Sequence, residues 1–95
     1  MNALNILQGL IPDRDARYQW VTEAVLAYVD AEKDWGVQEA RGVVGFAADS
    51  FLGMEPHERL LLINFVQDLA EGLGRSVQYI SASEHPILAS LLQDR

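Results

Sequence analysis

The chain has no cysteine. That excludes disulfides and thiolate zinc sites, so packing must hold the fold together, with assembly as a further aid. The same absence suits a reducing cytoplasm. Cations are scarce as well: one lysine and six arginines stand against fourteen carboxylates, for a net charge of −7. Contact with nucleic acid phosphate needs a clustered cationic face, so no direct nucleic acid binding is expected. No apolar run approaches the ~20 residues of a membrane span, so no membrane partner is expected either. The opening MNALNILQGLIPDRD lacks a cationic start and a cleavage site, and a signal peptide is not expected.

Motifs for chemistry are missing too. His57 is followed by Glu58, but position 61 is leucine rather than a second histidine, so no zinc-binding helix forms. Asp30, Glu32 and Asp34 sit at the first three ligand positions of a calcium loop. Trp35 and Arg41 stand where that loop needs glycine and glutamate. Gly72 and Gly74 follow a helix instead of a strand, which suits a helix end rather than a phosphate loop. Gly-x-Ser-x-Gly is absent. Neither a catalytic residue nor a metal or cofactor site emerges, and the chain reads as a non-enzyme.

Nearly half of the sequence, 49%, is hydrophobic. In 95 residues this predicts one helical domain over 1–95, with about 60–70% of the unfolded surface buried on folding. Residues 56–74, PHERLLLINFVQDLAEGLG, are the most apolar helical stretch. At 100° per residue, Leu61, Leu62, Ile63, Phe65, Val66, Leu69, Ala70 and Leu73 cover an arc of about 200°. The opposite wedge holds His57, Asn64, Asp68 and Glu71, with Leu60 among them. An ordinary surface helix needs an apolar stripe of only about 100°, so this one is expected to be central in the fold. The expectation is an all-α, compact bundle of four to five helices around a central apolar helix at about 56–73.

The other helices follow from spacing and punctuation. Residues 2–11 carry Leu4, Ile6, Leu7, Leu10 and Ile11 at helical intervals, and Pro12 ends them. Asp13 is a candidate N-cap for a helix over 14–33, with Tyr18, Val21, Val25, Tyr28 and Val29 on its core face and Trp20 between faces. Asp34, Trp35 and Gly36 break it. A third helix over 37–52 sets Val37, Ala40, Val44, Ala47, Ala48 and Phe51 inward. Its Gly42 and Gly45 each cost up to about 1 kcal/mol relative to alanine, which predicts close approach of another backbone. Val43 and Phe46 point off its main face, as a second contact surface or as buried positions in a two-layer bundle. Pro56 at the first helical position and Glu58 three residues after Glu55 make a good helix start. Residues 76–82 fit a short helix, a turn or a strand paired across a dimer. Ser83 then caps a last helix with Ile87, Leu88, Leu91 and Leu92.

Asp49-Ser50-Phe51-Leu52 is similar to the Asp-Ser-Leu stretch of acyl carrier proteins, which are also small, acidic and four-helical. That resemblance spans four residues, and it implies phosphopantetheine on Ser50. In the family the serine opens the second helix, whereas Ser50 closes one, with Gly53 to Glu55 before the next. The residues themselves favour a non-enzymatic protein–protein interaction or regulatory protein. It would act through a helical surface that includes Trp20, Val43 and Phe46, as a homodimer or with a larger partner. An alternative is an acidic inhibitor, of the type found in phages and mobile elements, of a nucleic-acid-handling enzyme. The acidic wedge His57, Asn64, Asp68 and Glu71 would then be its surface.

Overall fold

A computed structural model of the chain describes residues 2–73. The expected last helix and the ambiguous stretch at 76–82 lie outside the described residues. Within them, four helices follow one another: α1 (Ala3–Leu10), α2 (Arg14–Trp35), α3 (Val37–Ala48) and α4 (Pro56–Leu73). Among the described residues no strand occurs, and no helix is long and apolar enough to cross a membrane.

Local chemistry sets the helix ends. The Asn2 side chain accepts from the Asn5 amide at 3.0 Å to start α1, and Asp13 accepts from Ala16 at 2.8 Å to start α2. One residue, Gly36, separates α2 from α3. Its amide donates to the Glu32 carbonyl and its own carbonyl accepts from Ala40, so it ends one helix and begins the next. Its φ of 98° with ψ of 177° suits glycine alone. The break therefore falls on Gly36, and Trp35 continues α2 instead of interrupting it. At the start of α4, the Glu58 carboxylate accepts from the Glu55 amide at 2.9 Å, the reciprocal arm of a capping box.

The four helices share one apolar core. α1 contributes Ala3, Ile6 and Leu7; α2 contributes Tyr18, Val21, Ala24, Val25, Tyr28 and Ala31. From α3 come Ala40, Val44 and Ala48, and from α4 Leu62, Ile63, Val66, Leu69 and Ala70. The fully covered arc of α4 is about 120°, narrower than the apolar arc of its sequence. Leu61 and Phe65 at its edge are half-buried, and Leu60 is 51% exposed. Helix α3 stops at Ala48, four residues early, and a turn through Ser50 and Gly53 leads to α4.

Two side chains account for features that hydropathy leaves open. Arg17 is fully buried on the core side of α2. Its Nη1 donates to the carbonyls of Ile11 (2.9 Å) and Pro12 (3.3 Å), satisfying the loop that follows α1. Arg59 of α4 lies over Gly45, where an added Cβ would come within 2.7 Å of its guanidinium carbon. Arg59 also pairs with Asp49 at 2.8 Å. The close approach expected at the α3 glycines is thus made by a side chain and only at Gly45, because Gly42 faces open space.

Candidate interaction surface

Helix α3 folds back along α2, and the seam between them opens to solvent. At one end Trp20 of α2 meets Phe51, with ring centroids 5.4 Å apart and planes tilted by 52°. Midway, Trp20, Glu23, Ala24 and Ala27 of α2 and Ala47 of α3 line a groove of about 200 Å³. Gly36 closes the other end. Small side chains make the groove: alanines bring the helices together without filling the outer edge of their contact.

Each residue anticipated for this surface has a definite position. Trp20 is half-buried, with its ring shared between the groove and Phe51. Val43 lies one helical turn before Ala47, on the same strip of α3. It is half-buried against the core, so it does not point fully away from it. Phe46 is 81% exposed beside that strip. Leu52, in the turn after α3, is 95% exposed. On α4, His57, Asn64, Asp68 and Glu71 are all exposed with Leu60 on one back face. Ser50 is exposed, and its hydroxyl donates to the Ala47 carbonyl at 2.9 Å, which closes the end of α3.

A second depression, of about 380 Å³, lies between α2 and α4 and is lined by Val29, Glu32, Lys33, Ala70 and Glu71. Hydrogen bonds tie its far side together. Arg41 of α3 donates to Gln67, and Gln67 donates to Glu71 at 3.1 Å. The Tyr28 hydroxyl is buried nearby beside the Glu32 carboxylate, without a hydrogen bond of good geometry. Burial, then the carboxylates of Glu32 and Glu71, push its phenol above the usual tyrosine range, while Arg41 pulls the other way. Among the described residues, no three His, Asp or Glu side chains gather as they would around a metal ion.

Sequence reasoning missed both Arg17 and the Tyr28 hydroxyl. Arg17 stands four residues before Val21, on the apolar face, and that spacing was the available signal. Nothing in the sequence marked the Tyr28 hydroxyl as buried without a hydrogen bond of good geometry. Compared with protein-family models, curated proteins and solved structures, the chain matches none.

Proposed function

We propose that this is a small acidic, non-enzymatic protein that works by binding another protein through the open seam of α2 and α3. The observation that carries the reading is Phe46, a large apolar ring 81% exposed beside an apolar groove. Trp20 and Val43 supply the adjoining apolar surface, and Trp20 is the kind of rigid aromatic that anchors interfaces. The partner is either a second copy of the chain or a larger protein, and the complex buries at least ~1,000 Å². In this reading the protein acts in the cytoplasm, and α4 serves as the central post of the bundle.

Sedimentation at micromolar concentration tests the homodimer, and a strict monomer there leaves only the larger partner. Phe46→Asp is expected to abolish association while leaving helicity, read by circular dichroism, unchanged. Association that survives this substitution sinks the reading, and loss of helicity would make Phe46 a core residue.

A further inference from the structure

The charges bordering the seam point to the chemistry of its partner. At 100° per residue, Glu23, Asp30 and Asp34 fall within about 80° of Trp20 on the outward side of α2. All three are exposed. Across the groove, Glu39 stands beside Val43 on the outward side of α3 and is exposed too.

No described cation balances them there. Lys33 lines the depression against α4, and Arg41 is bonded to Gln67 of α4. Arg59 lies over Gly45 and pairs with Asp49. The Arg17 guanidinium is buried against the Ile11 and Pro12 carbonyls, and Arg14 falls about 120° around α2 from Trp20. The described cations are thus used on other faces, and among the described residues the charges along the groove are of one sign.

From this we infer that the seam receives a cationic amphipathic helix of a partner protein, a claim that rests on the interaction reading above. The apolar face of that helix lies on Ala24, Ala27 and Ala47 between Trp20 and Phe46, and its Lys or Arg side chains meet the acidic rim. The groove runs from Trp20 to Ala27, about 11 Å or about two turns of helix, and the acidic positions of α2 continue beyond it to Asp34. A second copy of this chain is a poor fit, because an isologous contact would set the same acidic rims against each other.

The test uses the full chain with Trp35→Phe, which leaves Trp20 as the one indole and reporter. Three synthetic peptides of about 16 residues are titrated against it. The first has Leu and Ala on one helical face and Lys on the other. A second has the same composition scrambled so that no apolar face forms, and the third carries Glu in place of Lys. The amphipathic cationic peptide is expected to bind with a blue shift of Trp20, at least about tenfold more tightly than the other two. Changing Glu23, Asp30 and Glu39 to Lys should weaken it about tenfold, whereas changing Asp15, Glu55 and Asp68 to Lys should cost less than about threefold.

Equal binding of the scrambled peptide, or equal weakening by both sets of reversals, makes the effect one of net charge and overturns the inference. Equal binding of the anionic peptide removes the role of the rim and does the same. If no peptide binds and the chain sediments as a dimer that Phe46→Asp dissolves, the occupant is a second copy. The inference then fails while the interaction reading stands.

Discussion

Helix α2 borders two depressions, and they differ in kind. Toward α3 the groove is floored by alanines and edged by the Trp20 ring, which meets Phe51. Toward α4 the depression sets Val29 and Ala70 among the ionic Glu32, Lys33 and Glu71, near a buried phenol, and Arg41, Gln67 and Glu71 are joined at its side. An apolar groove at the surface costs free energy until something covers it, because its carbon atoms face water. The depression toward α4 exposes carbon as well, from Val29 and Ala70, and differs in the charged Glu32, Lys33 and Glu71 at its edge, which hold water there. The side toward α4 also carries a penalty underneath, in the Tyr28 hydroxyl, buried without a hydrogen bond of good geometry. The difference is between a groove with few polar atoms and a depression with a charged edge over a buried polar one.

Breaking the hinge of the seam should have the largest effect. Gly36→Ala forces a side chain onto φ 98° and should destabilise the protein by about 2 kcal/mol, read as a lower urea midpoint at unchanged m-value. A change under about 0.5 kcal/mol would mean that the backbone relaxes and the hinge does not hold the α2–α3 register.

The α4 side should answer in the other direction. Tyr28→Phe removes a buried hydroxyl that makes no hydrogen bond of good geometry and lies against the Glu32 carboxylate, so stability should rise, by up to about 1 kcal/mol. The substitution should also flatten the alkaline limb. Because the folded-state pKa of Tyr28 is raised, its contribution is fully present below the unfolded value and is lost as pH climbs through the folded one. Wild type should therefore lose stability more steeply than the variant above about pH 10. Parallel curves for the two proteins would show that the phenol does not titrate with unfolding.

The smallest contrast lies within α3 itself. Gly42→Ala fills open space on the outer face of the helix and should stabilise by about 0.5–1 kcal/mol. At Gly45 the same change displaces Arg59 and disturbs its pair with Asp49, so most of the gain should cancel. That exposed pair is itself worth under about 1 kcal/mol. Equal gains at both positions in thermal melts would show that Arg59 moves freely.

Sequence alone determined the elements whose causes are local. Asp13 caps α2, Pro12 separates the first two helices and the Glu55–Pro56–Glu58 start of α4 forms, because each depends on atoms within about four residues. The all-helical class followed from periodicity, and the interior of α2 from the spacing of Tyr18, Val21, Val25 and Tyr28. Tertiary structure decided what depends on distant neighbours. Trp35 stays helical because Gly36 by itself makes the turn. Arg17 is buried because the loop after α1 offers it carbonyls, and Gly45 lies under a guanidinium arriving from α4. The α2–α3 seam belongs to the same class. Val43 and Phe46 could be named from their off-face positions and Trp20 from its place between faces, but the groove exists only once α3 folds back, and the described cations lie on other faces only in the folded chain.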